Sequence, residues 1–88
     1  MRGHFTDGGW EDYLHWCRHD AGTHARLNEL IENTRRMPFT GLGKPEPLKG
    51  DLAGFWSRRI TNEHRLVYAI DGKGDAQCVT IVQCRYHY

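Results

Sequence analysis

The chain has 88 residues, of which 39% are hydrophobic and 26% are charged, with a formal net charge of +1 at pH 7. This length allows one domain with a modest core, and the composition excludes a disordered chain. The sequence has no apolar run near the ~18 residues of a membrane span, and its start lacks the apolar centre of a signal peptide. We therefore expect a single cytoplasmic domain over residues 1–88, in which the odd number of cysteines, three, stay reduced.

Charge is distributed unevenly along the chain. Residues 1–34 carry three basic and six acidic side chains, a net charge of −3. Residues 35–88 carry nine basic and five acidic side chains, a net charge of +4. Because a positive region attracts anions, the C-terminal part is where we expect an anionic ligand to bind.

A short strand and a helix come first in chain order. Residues 2–6, RGHFT, predict a weak strand, because Gly3 has no side chain to pack. Thr6 or Asp7 can cap a helix that begins near Gly8. An apolar stripe at helical spacing follows. It consists of Trp10, Tyr13, Leu14 and Cys17.

A second helix is predicted after the break at residues 20–22, DAG. Thr23 is the expected N-cap, and Pro38 ends the helical region. One face of this helix carries Leu27, Leu30, Ile31 and Thr34. With so short a connection, the two helices should form an antiparallel pair.

The remainder of the chain predicts a loop and an antiparallel meander. Residues 38–54 contain three prolines and four glycines and should form the loop. Strands are expected at 55–61, 64–70 and about 77–86, with a hairpin turn at 71–75. The expected fold is therefore α+β, with two N-terminal antiparallel helices packed on one face of a mainly antiparallel sheet.

Polar side chains suited to RNA cleavage fall on this frame. Glu46 is held between Pro45 and Pro47, and the cationic residues and histidine expected around it are Lys44, Lys49, Arg58, Arg59, Arg65, Arg85 and His87. A carboxylate can take the proton of a 2′-OH, an imidazole can protonate the leaving oxygen, and fixed cations stabilise the transition-state charge. Bases of a single strand could stack on Trp56, Tyr86 or Tyr88. Taken without further information, Glu46 is more often a solvated loop carboxylate than a catalytic group.

Several strings resemble one protein family. GKPEPLKGDLAGFWSRRITNEHRLVYAI at residues 43–70 and CRYHY at 84–88 are similar to the YoeB (Txe) branch of the RelE/ParE toxin superfamily, as are TRRMPFTG at 34–41 and WEDYLHW at 10–16. The resemblance implies a RelE-like fold, related in architecture to microbial ribonucleases. It also implies a toxin of a bacterial type II toxin–antitoxin system, an endoribonuclease that cleaves mRNA in the ribosomal A site and inhibits translation.

The same resemblance implies the chemistry and the partners. Cleavage would need neither a metal nor a cofactor and would leave a 2′,3′-cyclic phosphate and a 5′-OH. A YefM-like antitoxin, unfolded at its C-terminal end until bound, would cover the site. The toxin would act on mRNA on the ribosome, would form a homodimer and would have no membrane partner.

Individual roles carry over by position in the matching strings. Glu46 would be the general base, Arg65 would hold the scissile phosphate, and His87 would be the general acid. Tyr88 would line the site and help to orient the substrate. The further RNA or phosphate contacts would be Arg59, Lys44 and Lys49. On this interpretation CRYHY is the wall of an active site.

Alternatives stay open at this stage. A gyrase-poisoning toxin of the ParE branch shares the fold but generally lacks the acid–base pair, and a basic module could bind RNA or the ribosome without cutting. Arg58 alternates with Arg59 and could be a phosphate ligand or a solvated edge residue. Cys84 and His87 have the spacing of half a zinc site, but no second half is evident. The other histidines are expected at the surface or flanking the helices: His4, His15, His19, His24 and His64.

Overall fold

The computed structural model describes residues 1–87, which fold into two helices and five strands. The helices are α1 (Asp7–His19) and α2 (Ala21–Arg36). The strands are β1 (Arg2–Phe5), β2 (Glu46–Pro47), β3 (Trp56–Arg59), β4 (Arg65–Asp71) and β5 (Cys78–Gln83). Single 3₁₀ turns cover Gly50–Leu52 and Gly74–Ala76. Neither α1 nor α2 is long and apolar enough to cross a lipid bilayer.

The strands form one sheet in the order β1-β5-β4-β3-β2. β1 runs parallel to β5, and the other neighbouring strands are antiparallel. Leu27 and Leu30 of α2 share a buried core with Leu66 and Tyr68 of β4. The prediction of an α+β fold with two helices on a mainly antiparallel sheet is therefore confirmed.

Helix α1 is fixed to β5 at its first turn. The Thr6 hydroxyl accepts a hydrogen bond from the Gly9 amide (3.1 Å), so the predicted cap is present. Gly9 is buried and lies so close to β5 that a Cβ there would clash with the carbonyl oxygen of Ile81. On the same helix Trp16 is buried, whereas Trp10 and Cys17 are exposed. The predicted apolar stripe is therefore wrong at both of those residues.

Helix α2 begins earlier than predicted. Its N-cap is Asp20, whose carboxylate accepts a hydrogen bond from the Thr23 amide (3.0 Å). Thr23 is thus the donor rather than the cap. A carboxylate competes well for this position because the N-terminus of a helix carries partial positive charge. The hydrogen bonds from Thr23 also lower the pKa of Asp20.

The loop between α2 and β2 is held by a buried arginine. Arg58 is fully inaccessible to solvent, and its guanidinium makes five hydrogen bonds. The acceptors are the side-chain oxygens of Asn33 and Tyr68 and the carbonyls of Met37, Thr40 and Leu42. Both expectations for Arg58, a phosphate ligand and a solvated edge residue, are wrong. Its hydrogen bonds instead fix the loop that leads to the edge of the sheet.

Several strand boundaries differ from those predicted, and β3 covers only Trp56–Arg59 of the expected 55–61. Part of the expected 38–54 loop pairs with β3 as the short strand β2. β5 ends at Gln83 instead of continuing to about 86. The amide of Cys84 donates to a carboxylate oxygen of Asp12 (3.1 Å) rather than continuing the ladder with β4. The chain therefore leaves the sheet here and turns back towards β3 and β4.

Candidate active site

A polar pocket of about 130 Å³ lies beside the C-terminal segment. It is lined by Gly43, Lys44, Glu46, Ser57, Arg59, Arg65 and His87. These residues come from the loop before β2, from three adjacent strands and from the end of the chain. The pocket thus collects side chains that are far apart in the sequence.

Strand pairing explains how the pocket is assembled. Glu46 lies opposite Ser57, and Arg59 lies opposite Arg65. Side chains of directly paired residues point to the same face of a sheet, and they alternate along each strand. Arg58 therefore points towards the helices, while its two neighbours on β3 point to the opposite face. The pocket occupies this second face.

The guanidinium of Arg65 is oriented by the loop that precedes β4. Its Nη1 donates to the carbonyl oxygens of Thr61 (2.7 Å), Asn62 (3.2 Å) and His64 (3.1 Å). These bonds fix one end of the planar group while the residue stays half-exposed. A fixed guanidinium suits phosphate oxygens, because its donors form a rigid fork.

Arg59 connects the sheet to the loop that carries Lys44. The Arg59 amide donates to the Gly43 carbonyl (2.7 Å), so this loop continues alongside β3. Lys44 has φ 54°, a left-handed conformation that is costly for a residue with a side chain. Backbone strain of this kind is concentrated at functional sites. In this conformation Lys44 lines the pocket.

The end of the chain is tied down before it reaches His87. The amide of Arg65 donates to the carbonyl of Tyr86 (3.1 Å), and the amide of Tyr86 donates to Nδ1 of His64 (2.7 Å). The side chain of Gln83 donates to the carbonyls of Arg85 (3.0 Å) and Tyr86 (3.4 Å). His87 thus follows an anchored residue and lies in the pocket wall.

His64 differs from its prediction as a surface residue. It is half-buried, and its ring packs edge-on against Trp16 with the ring centroids 4.7 Å apart. No local pattern indicates this contact, because residues 16 and 64 are brought together only by the packing of α1 beside the β3–β4 loop.

The predicted site residues fall into three groups. Lys44, Glu46, Arg59, Arg65 and His87 line one pocket. Lys49 is exposed and is not one of the residues that line this pocket. Tyr88 lies outside the described residues.

Two pocket residues were missed from the sequence, Gly43 and Ser57. Ser57 could have been found from alternation, because it lies two residues before Arg59 on the same strand. Gly43 carries no side chain whose chemistry could have indicated it.

A zinc site at Cys84 has little support in the geometry. Cys84 is fully buried, and its Sγ lies 3.6 Å from the Gly9 carbonyl oxygen. Burial, together with the negative charge of Asp12, raises the pKa of the thiol to about 12. Within residues 1–87, His, Cys, Asp and Glu side chains do not gather in threes as a metal site would require.

The pocket has an excess of positive charge. Lys44, Arg59 and Arg65 contribute three cations, against the single carboxylate of Glu46. Arg59 and Arg65 also lie directly opposite each other, a pairing of like charges that is unfavourable unless an anion lies nearby. The arrangement therefore favours binding of a phosphate group beside a carboxylate and an imidazole.

Comparison with known proteins identifies the family of the chain. A family model described as the YoeB-like toxin of bacterial type II toxin–antitoxin systems matches residues 5–88. The chain belongs to this family. The resemblance found in the sequence motifs is thereby confirmed.

Relatives of known sequence or structure match over the whole chain. A YoeB toxin from Streptomyces coelicolor is 56% identical over 88 residues, covering 100% of both chains. A solved YoeB/ParE toxin from Agrobacterium tumefaciens is 55% identical, with a TM-score of 0.94 and 100% of both chains covered. A YoeB dimer from Staphylococcus aureus is 38% identical, with a TM-score of 0.87 over 100% of this chain and 98% of that one. The S. aureus toxin has also been solved in complex with YefM.

Proposed function

We propose that this YoeB-like toxin is a ribosome-dependent endoribonuclease that cleaves mRNA in the A site by metal-independent acid–base catalysis. The observation that carries the proposal is the single pocket lined by Glu46, Arg65 and His87, with Arg59 directly opposite Arg65. A carboxylate, an imidazole and paired guanidiniums are the groups that RNA transesterification needs.

The proposed reaction assigns one role to each group. Glu46 takes the proton of the 2′-OH as the 2′-oxygen attacks the adjacent phosphorus. The bond between phosphorus and the 5′-oxygen breaks, and protonated His87 donates its proton to that oxygen. The products are a 2′,3′-cyclic phosphate and a 5′-OH.

Charge stabilisation falls to the cations of the pocket. Arg65, held by three backbone carbonyls, binds the scissile phosphate and needs little reorganisation when the transition state forms. Arg59 and Lys44 provide further positive charge. Tyr88 follows His87 in the chain, and we assign it a role in orienting the substrate.

Two protein partners complete the proposal. We propose a homodimer and an antitoxin of the YefM kind, because the S. aureus relative has been solved both as a dimer and with YefM. An acidic or amphipathic segment of the antitoxin would suit the positively charged pocket. Light scattering of the purified toxin, with and without its co-expressed antitoxin, measures both associations.

The test of catalysis is primer extension on a defined mRNA in a bacterial cell-free translation system. The wild type should cut at the A-site codon, while Glu46→Gln and His87→Gln should be about 10²–10⁴-fold slower with ribosome binding retained. Glu29→Gln and His4→Gln are matched controls, because both residues are exposed and neither lines the pocket.

The other outcomes distinguish the competing functions. Arrest of translation without cleavage would indicate a binding module that occupies the ribosome. Gyrase inhibition with intact mRNA would indicate a ParE-like toxin. Cleavage by both pocket variants at the wild-type rate would exclude the acid–base roles given to Glu46 and His87.

A further inference from the structure

His64 connects three parts of the molecule that meet beside the pocket. It is the last residue of the loop between β3 and β4, and its ring packs edge-on against Trp16 of α1. Trp16 in turn donates a hydrogen bond from Nε1 to the carbonyl of Cys84 (2.7 Å). The ring of Tyr86 is a second aromatic neighbour, with its centroid 5.8 Å from that of His64. The imidazole is therefore held between the core and the C-terminal segment.

The hydrogen bond at His64 defines the state of its ring. The Tyr86 amide lies 2.7 Å from Nδ1. A backbone N–H can only donate, so Nδ1 must be the acceptor and the ring proton of the neutral imidazole lies on Nε2. A side chain without an acceptor at this position would leave the amide of Tyr86 without this bond.

The backbone of Tyr86 is strained, so hydrogen bonds are needed to hold its conformation. Its φ is 66°, in the left-handed region that residues with side chains rarely adopt. The strand neighbour of His64 holds the same residue from the other side, since the Arg65 amide donates to the Tyr86 carbonyl (3.1 Å). The consecutive residues His64 and Arg65 therefore both fix the conformation of Tyr86, the residue before His87.

The same loop also orients the phosphate-binding group. The carbonyl of His64 is one of the three acceptors for Nη1 of Arg65. His64 thus contacts the pocket in two ways, through its carbonyl to Arg65 and through its ring to the residue before His87. His64 therefore contributes to the position of both the proposed acid and the proposed phosphate ligand.

We propose that His64 is a positioning residue, whose Nδ1 anchors the Tyr86 amide and thereby holds His87 in the pocket beside Arg65. This inference rests on the proposed nuclease function and extends it to a residue outside the pocket wall. His64 does not contact the reacting atoms. Its contribution is the geometry of the acid, and misplacement of a catalytic group by about 1 Å can cost a factor of about 10² in rate.

The experiment compares His64→Asn with His64→Phe. Asn places an amide oxygen close to the position of Nδ1 and keeps an acceptor, whereas Phe keeps a ring against Trp16 but has no acceptor. Single-turnover cleavage of mRNA on programmed ribosomes is measured over a range of ribosome concentrations. His19→Phe is the control, because His19 is exposed in the last turn of α1.

The expected result separates positioning from binding. His64→Phe should lower the cleavage rate at saturating ribosomes about 10- to 100-fold while leaving the half-saturating concentration within about twofold. His64→Asn should recover most of the rate, and His19→Phe should match the wild type. Equal defects in the Asn and Phe variants, or a wild-type rate in His64→Phe, would overturn the proposal.

Amide hydrogen exchange provides a second readout that does not depend on nuclease activity. The Tyr86 amide should exchange faster in His64→Phe than in the wild type, with the core amide of Tyr68 as an internal reference for global stability. Unchanged exchange at Tyr86 would overturn the anchoring role even if cleavage falls. If the wild type does not cut RNA, the nuclease proposal fails, and the exchange rates still decide whether His64 holds the C-terminal segment.

Discussion

Arg58 and Arg59 are consecutive in β3 but have opposite surroundings. Arg58 is fully buried on the helix side of the sheet, and Arg59 is exposed and lines the pocket on the other side. Strand alternation produces this division, because successive side chains of a strand point to opposite faces. Arg58 therefore contributes to the stability of the fold, whereas Arg59 contributes to the candidate active site.

Replacing Arg58 should damage the fold. In Arg58→Met the five acceptors around the guanidinium lose a donor, and one of them is the hydroxyl of the buried Tyr68, so the free energy of unfolding should fall by about 3 kcal/mol or more. Arg59→Met should change that free energy by about 0.5 kcal/mol or less, while slowing RNA cleavage. Urea unfolding of both variants provides the comparison, and equal stability losses would contradict it.

The two glycines at the start of α1 should respond oppositely to alanine. In Gly8→Ala the new Cβ would lie 3.8 Å from the Val82 carbonyl oxygen, an ordinary contact, so removal of a helical glycine should stabilise by about 0.5 kcal/mol. In Gly9→Ala the Cβ would clash with the Ile81 carbonyl oxygen, and the fold should lose about 1–3 kcal/mol. Thermal unfolding would detect both changes, and a stabilised Gly9→Ala would show that α1 can move away from β5.

Cys84 should make stability fall at alkaline pH. Burial raises the pKa of the thiol to about 12, so in the folded protein it stays protonated where an unfolded thiol, with a pKa of about 8.5, ionises. The contribution of Cys84 to the free energy of unfolding is fully present below about pH 8.5 and is lost as pH rises towards about 12. Over this range the free energy of unfolding should fall by about 1.4 kcal/mol per pH unit.

The test of this linkage is urea unfolding between pH 8 and 10. Cys84→Ala should show a shallower loss of stability over this range than the wild type. Cys17→Ala is the control, because Cys17 is exposed. Burial also raises the pKa of Tyr68. Because both variants keep Tyr68, its contribution to the pH dependence of stability is the same in all three proteins. Identical slopes for all three proteins would show that Cys84 does not set the alkaline limit.

Lys44 and Lys49 should differ in their effect on cleavage. Lys44 lines the pocket, and Lys49 is outside the lining although it is only five residues further along the chain. Lys44→Ala should slow single-turnover cleavage about tenfold, equivalent to about 1.4 kcal/mol of transition-state stabilisation. Lys49→Ala should stay within about twofold of the wild type, and a larger loss at Lys49 would place the RNA on the outer side of the loop.

Local patterns determined much of this fold. The alternation in residues 64–70 predicted β4, and helical periodicity together with the break at residues 20–22 predicted the two helices. Resemblance of motifs brought Glu46, Arg65 and His87 into one hypothesis, and the structure places all three around one pocket. These features could be predicted because they depend on residues close in sequence or on motifs characteristic of one family.

Tertiary structure decided the features that depend on distant contacts. The parallel pairing of β1 with β5 joins residues about 75 positions apart, so no local pattern encodes it. Burial of Arg58 required acceptors from α2, from the following loop and from β4. His64 acquired its role from Trp16 and Tyr86, which reach it from opposite ends of the chain. In each case the sequence determined which groups were available, and the packing of distant segments determined which groups met.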